Sequence, residues 1–320
     1  EHNIDAVIKY ATSNKIKMAS MVRVKEEKIR DTDKYLSVED RKYSTCDIDF
    51  YASWDSLIPY DNENTSNIII YPKYITFDIE CYSKNHNAKL PDPMIPENCV
   101  FQISIITGSL HSGKSPRKIL LSLGNPNDID GAEVYRFKTE KGLILYFCKL
   151  IREIDPDIFI GYNILKFDWN YLIIRSDVLG IWNKFRDITR ILGKKGILEE
   201  INWSSKAYGE QIFKYIECNR TNVDVLLEVE RNYKLVKYNL DYVAEVFLKQ
   251  NKEGISPRQL FMLYDLSQME TEIKLLEDNI IPKLKRIEIK TKIQKLLPLR
   301  KCYGVVLDLR KKLMKAMTRD

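Results

Sequence analysis

Two carboxylates one residue apart, Asp78 and Glu80 in Phe77-Asp78-Ile79-Glu80, end a strand-like run that begins at Tyr74. The two-residue period of a strand puts both side chains on one face. Like charges so placed repel unless a cation sits between them. Mg2+, a hard ion that takes oxygen ligands and substrate phosphates, is the natural partner; a strand end with two solvated acids is the competing reading of the tetrapeptide alone. A third carboxylate, Asp168, ends the stretch Gly161-Tyr162-Asn163-Ile164-Leu165-Lys166-Phe167-Asp168, which follows an apolar strand and opens a helix. A helix N-terminus favours a negative charge, and an ordinary N-cap is the alternative there. A fourth, Asp278, falls on a late helical stretch, Leu275 to Pro282, where a solvated surface acid is the usual role. Acids at a first strand end, at a strand–helix junction and on a late helix are what a two-metal phosphodiester hydrolase needs. Two ions about 3.5–4 Å apart would activate a water and stabilise the leaving oxygen, with positioning and charge neutralisation carrying most of the catalysis.

The elements that must hold these acids alternate. After a polar linker, Asp61 to Asn67, the strand ending at Glu80 is followed by strands over Val100–Thr107 and Lys118–Leu123, with a Pro-containing loop, Ser83 to Asn98, between the first two. Glu140 to Ile154 has helical spacing, with Leu143, Leu145, Phe147, Leu150 and Ile151 facing inward. Asp157 to Tyr162 reads as a strand and Phe167 to Leu179 as a helix. Asn222–Tyr233 and Asn239–Leu248 read as two further helices, and Ser256-Pro257 opens another. This order predicts an α/β fold around a mixed central sheet. Residues 1–72, with a helical stretch from Ile4 to Ile16 and two irregular strands over Arg41–Asp55, read as a smaller α+β unit in front of it.

Composition bounds the function classes. Of 320 residues, 44% are hydrophobic, enough for a sizeable core, and the net charge is +6. No run of about 18 apolar residues appears, so no membrane span is expected. Cys46, Cys81, Cys99, Cys148, Cys218 and Cys302 form no C-x-x-C pair, which argues against a zinc site or a disulfide framework and for a reducing compartment. From Lys283 to Arg319 there are thirteen Lys and Arg against Glu288 and Asp308. That run is either a solvated helix face or a stripe that binds nucleic-acid phosphates. The chain starts Glu1-His2-Asn3 without Met and reads as part of something longer.

These residues together resemble the family B DNA polymerases, the group that includes the eukaryotic replicative enzymes and those of large DNA viruses. Phe77 to Glu80 is similar to the family's first exonuclease motif. Asp155-Pro156-Asp157-Ile158-Phe159-Ile160-Gly161-Tyr162-Asn163, running into Phe167-Asp168, is similar to its second. Gln102, Thr221 to Asp224, Tyr233-Lys234-Leu235, Tyr238-Asn239-Leu240 and Ile255 to Phe261 match further family positions. The resemblance runs over roughly residues 73–284, and Ser53-Trp54 fits the family's N-terminal domain. It implies an RNase H-like 3′→5′ proofreading exonuclease over 73–284, preceded by part of the polymerase N-terminal domain over 1–72. It implies two Mg2+ ions, with Mn2+ as a substitute, held by Asp78, Glu80 and Asp168. Asp278 would complete the catalytic set, and Asn163 and Phe167 would touch the single-stranded 3′ end. The expected partners are DNA and the rest of a polymerase, in the nucleus or at a cytoplasmic site of viral replication.

Two departures matter. The family's third motif is a Tyr, three residues, then Asp; Asp278 fits the Asp, but Lys274 stands where the Tyr belongs, and no Tyr after Asp168 has an Asp four residues on. That Tyr would help place the attacking water, so Lys274 leaves open whether the site hydrolyses or only holds a phosphate. The palm motifs Asp-x-x-Ser-Leu-Tyr-Pro and Tyr-Gly-Asp-Thr-Asp are absent. Gly304 to Met314, inside the basic helical segment 285–320, resembles the start of the fingers helices, with Arg310, Lys311 and Lys315 towards nucleotide phosphates; a plain basic amphipathic helix is the alternative. A catalytically impaired DNA-binding remnant, a truncated gene product, and a ribonuclease or repair nuclease of the same fold are the other readings of the chain.

Overall fold

A computed structural model describes residues 6–17, 20–25, 29–30, 43–47, 49, 51–52, 54–60, 70–88, 90–205, 209–249 and 256–277. Asp278, the linker at 61–67 and the basic segment 285–320 lie outside these residues.

The first part holds a helix, α1 (Ala6–Ser13), and four short strands, β1 (Val22–Val24), β2 (Ile29–Arg30), β3 (Tyr51–Ala52) and β4 (Leu57–Pro59). β1 pairs antiparallel with β4, and β2 with β3. Ser44 bridges to Ile191, and Leu192 N donates to Tyr43 O at 2.8 Å, which ties this part to the larger unit.

The rest is built on a six-stranded mixed sheet. Its strands are β5 (Lys73–Cys81), β6 (Val100–Ser109), β7 (Arg117–Leu123), β8 (Glu133–Phe137), β9 (Ile158–Gly161) and β12 (Thr221–Asp224), in the spatial order β12-β9-β5-β6-β7-β8. β5, β6 and β7 form an antiparallel meander, while β9 and β12 run parallel to β5 on one side and β8 parallel to β7 on the other. Helices α2 (Glu140–Ile154), α3 (Asp168–Val178) and α4 (Trp182–Phe185) follow, then a long antiparallel hairpin of β10 (Ile197–Ser205) and β11 (Gly209–Glu217). Helices α5 (Val225–Asn232), α6 (Leu240–Leu248) and α7 (Pro257–Glu277) complete the described chain. None of these helices is long and apolar enough to cross a membrane.

Alternation in β5 divides its two faces. Ile75, Phe77, Ile79 and Cys81 are buried, while Asp78 on the opposite face is exposed. The Phe77 ring lies 5.3 Å from Phe147 of α2, 5.2 Å from Trp169 of α3 and 6.3 Å from Phe159 of β9. One side chain thus joins the central strand to both covering helices, and full burial of such a ring is worth about 1.5–3 kcal/mol. α2 occupies the span its spacing predicts, capped by Thr139, whose hydroxyl accepts from Gly142 N at 3.1 Å.

The strands over 100–107 and 118–123, the strand at 157–162 and the helix at 167–179 form with ends shifted by one or two residues. One expectation is corrected. Asn222 is not helical: Thr221–Asp224 is a strand laid parallel to β9, and the helix begins only at Val225. The cause is Asp224, whose carboxylate accepts from Leu226 N at 3.1 Å, so the acid at the strand end is also the helix N-cap.

Candidate active site

The site grows from an incomplete edge. β9 pairs with β5 only at Tyr74, Ile75 and Thr76. Beyond Thr76 the β9 side of β5 lacks a ladder partner, and a buried backbone N–H there needs an acceptor. Asp168 supplies it: its Oδ1 accepts from Ile79 N at 3.0 Å. The residue between the two first-motif acids therefore holds the second-motif acid. Asp168 is the first residue of α3 rather than its N-cap, a position taken by Phe167 with no side-chain capping bond.

The turn that delivers Asp168 is shaped from three sides. Gly161 ends β9 where a Cβ would stand 2.1 Å from Ile164 Cγ2 and 3.1 Å from Phe77 O, so only glycine lets this turn pack on β5. Asn163 has φ of 65°, a left-handed conformation that Asn tolerates better than most residues. Asp224 then accepts from Asn163 N at 2.8 Å and Leu165 N at 3.1 Å. Sequence reasoning noted Thr221 to Asp224 without giving Asp224 a role; two loop amides and a helix cap converge on it. Its signal is an acid closing a short β-branched run just before a helical pattern. The Tyr162 hydroxyl donates to Tyr238 O, which fastens the segment after α5 to the same turn.

Burial, and next to it the charge of Asp78, pushes the Asp168 carboxyl up to about 8; Asp168 is only 2% exposed. The bond from Ile79 N opposes the rise without cancelling it. Burial also raises Asp224, and backbone N–H bonds from Leu165, Asn163, Leu226 and Leu227 oppose the rise. Glu80 is half-buried, opposite Gln102 in the β5–β6 register, and Asp78 is opposite Ser104. Asp78 and Asp168 are thus brought together, with Glu80 one residue beyond the Ile79 amide that binds Asp168. Among the described residues no group of three or more His, Cys, Asp or Glu side chains is drawn close enough to hold a metal ion.

Asn163 and Phe167 flank Asp168 on the turn. Phe167 is half-buried against the core, its ring 5.7 Å from Tyr171. Lys274 lies in α7, near its C-terminal end. The hairpin β10–β11 was not expected from the sequence. It is anchored beside the turn by Lys214 N donating to Leu165 O at 2.8 Å, and it exposes Ile201, Trp203 and Ile212.

The comparisons with known proteins follow the same stretch. The family model described as DNA polymerase family B, exonuclease domain, matches residues 1–243. DNA polymerase 120R of Invertebrate iridescent virus 3 is 37% identical over 196 residues, 60% of this chain and 17% of that protein. DNA polymerase 037L of Invertebrate iridescent virus 6 is 32% identical over 238 residues, 71% of this chain and 18% of that protein. The DNA polymerase delta catalytic subunit of Oryza sativa subsp. japonica is 32% identical over 216 residues, 67% of this chain and 19% of that protein. The matched stretch therefore spans less than a fifth of these relatives' own length. Since the family model covers well over half of the 320 residues, this chain belongs to the exonuclease-domain family of the family B DNA polymerases.

Proposed function

We propose that the chain is a 3′→5′ proofreading exonuclease region, acting on the single-stranded 3′ end of DNA beside the rest of a replicative polymerase. One observation carries the reading: the buried Asp168 carboxylate binds the Ile79 amide, between Asp78 and Glu80, where burial first and the charge of Asp78 next raise its carboxyl. Two carboxylates in that relation are a donor set that fits a hard divalent cation, which would remove the repulsion. Asp78 and Glu80 would hold one Mg2+ or Mn2+ and Asp168 a second, with Asp278 completing the set. The cation supplies charge neutralisation and an acidified water when bound. The chain's own residues do the placing. The Ile79 amide fixes Asp168, Asp224 fixes the turn carrying Asn163 and Phe167, and these two would orient the terminal nucleotides, an aromatic ring by stacking on a base.

The meander β5–β6–β7 with β9 and β12 parallel on the β5 side supports an RNase H-like unit over 73–284, and the short-stranded part over 1–72 a piece of the polymerase N-terminal domain. The test is nucleotide release from a 3′-labelled single strand with Mg2+ or Mn2+. Asp78→Ala, Glu80→Ala should lose trimming by several orders of magnitude, and trimming that survives the double change removes the proposal. Lys274, where the family has Tyr, motivates a second reading, a module that holds DNA without cutting it. A folded, metal-supplied parent chain with no trimming but with salt-sensitive DNA binding would establish that reading instead.

A further inference from the structure

Helix α7 reaches the acidic strand through one carboxylate. Asp265 Oδ1 accepts from the Tyr82 hydroxyl at 2.6 Å, and Asp265 Oδ2 lies 2.8 Å from His86 Nε2. Tyr82 stands two residues beyond Glu80. There β5 leaves its regular ladder: the β5–β6 register shifts between Glu80 and Cys81, and Tyr82 N donates to Cys99 O at 2.8 Å. A small aromatic core surrounds the contact. The Tyr82 ring is 4.7 Å from Tyr264 and 5.9 Å from Phe261, and Phe101 is 4.9 Å from Tyr264. Phe261 is 1% exposed, and Cys99 Sγ donates to the Tyr264 hydroxyl at 3.4 Å.

A register shift re-aims the side chains beside it, according to what holds the chain on its far side. Glu80, opposite Gln102, is the last regular ladder residue before the shift; beyond it the chain is held by Tyr82, and Tyr82 by Asp265. We propose that Asp265 is a positioning residue: by binding Tyr82 and His86 to α7, it fixes the end of β5 and aims the Glu80 carboxylate. The inference rests on reading Asp78 and Glu80 as cation ligands. The Tyr82 hydroxyl donates to one Asp265 oxygen and His86 Nε2 faces the other, so Asn keeps one acceptor and loses the charge that both groups face.

The experiment uses the full chain and Mn2+ as probe. Binding is followed by the electron paramagnetic resonance of free Mn2+ without DNA, and trimming is measured in parallel. Asp265→Asn should weaken Mn2+ binding about tenfold, the lower end of what loss of a supporting contact around a metal ligand does. Tyr82→Phe, which keeps the ring and its packing, should shift it the same way by less. In both variants kcat should return at saturating Mn2+ with KM for DNA unchanged, which general loosening of the fold would not produce. Parent-like Mn2+ affinity in both variants overturns the proposal. A parent chain that binds Mn2+ no better than Asp78→Ala, Glu80→Ala overturns the cation-ligand reading itself, so the two failures are distinguishable.

Discussion

Asp168 is a carboxylate taken out of water and set beside another, Asp78. Its pKa rises to about 8, while the unfolded chain would titrate it near about 4. A raised carboxyl makes the folded state bind a proton that the unfolded state releases. Its stabilising contribution is therefore complete below the ordinary carboxylate range and is lost as pH rises through about 8. Because Asp78 shares the repulsion, the titration belongs to the pair. In EDTA, the thermal midpoint of the parent should fall between pH 5 and pH 8 relative to that of Asp168→Asn, whose amide carries no charge. Mg2+ should flatten the difference by favouring the ionised form. Parallel melting curves for parent and variant across this range would show that Asp168 is solvated. The first-motif acids were legible at this scale because period-2 geometry alone puts Asp78 and Glu80 on one face. The roles of Ile79 and Asp224 were not legible, because both act through backbone amides that residue types do not reveal.

At the scale of elements, the apolar spacing of α2 and the β-branched run of β5 gave their spans directly, since each buries one continuous face. The hairpin β10–β11 escaped notice because its apolar residues are spread over both faces and many stay exposed, as with Ile197 and Trp203, so no buried stripe marks it. Nor did sequence reveal how the loop between β5 and β6 is held. Arg175 of α3 donates to Glu140 Oε1 at 2.8 Å and to the carbonyls of Pro93, Ile95 and Pro96 at 2.9–3.1 Å. Glu140 Oε1 in turn accepts from Val100 N at 2.8 Å, where β6 begins. The Arg175 side chain is 1% exposed and that of Glu140 7%, so the pair is buried. Removing one member of such a pair leaves an uncompensated charge and costs about 3–5 kcal/mol. Arg175→Met should lose about that much in urea unfolding, with the loop at 92–97 becoming an early proteolytic site. Glu140→Gln keeps an acceptor for Val100 N but strands the buried Arg175 charge, so it should lose a comparable amount. An Arg175→Met loss below about 1 kcal/mol would mean that the loop is held by packing alone.

Across the whole molecule, the stretch that carries most of the family resemblance does two jobs, and only its end lies near the carboxylates. Asp155 and Asp157 form a junction far from Asp168 in role. Asp155 Oδ1 takes Arg190 Nε at 3.1 Å and Arg220 Nη2 at 2.6 Å, while Arg190 also reaches Asp157 Oδ1 at 2.7 Å. Asp157 Oδ2 accepts from Lys73 N at 2.7 Å, and Arg220 Nη1 donates to Ile188 O at 2.7 Å. Thr45 N donates to Arg190 O at 2.9 Å, which brings in the N-terminal part. The end of α2, the starts of β5 and β9, the base of the hairpin and the segment at Thr45 thus meet on two acids and two arginines. The Arg220 side chain is 0% exposed, so it has no water to fall back on. Asp155→Ala should therefore destabilise the protein by about 3–5 kcal/mol. Asp155→Ala combined with Arg220→Met should be less damaging than Asp155→Ala alone, because the stranded charge goes with its partner. Urea unfolding of the three chains, followed by tryptophan fluorescence and by circular dichroism, checks both points. If the double variant is the less stable, the arginine serves the fold through its bonds to Ile188 and Cys218 rather than through the acid. If Asp155→Ala splits one transition into two, the junction is what makes the N-terminal part and the central sheet unfold as a unit.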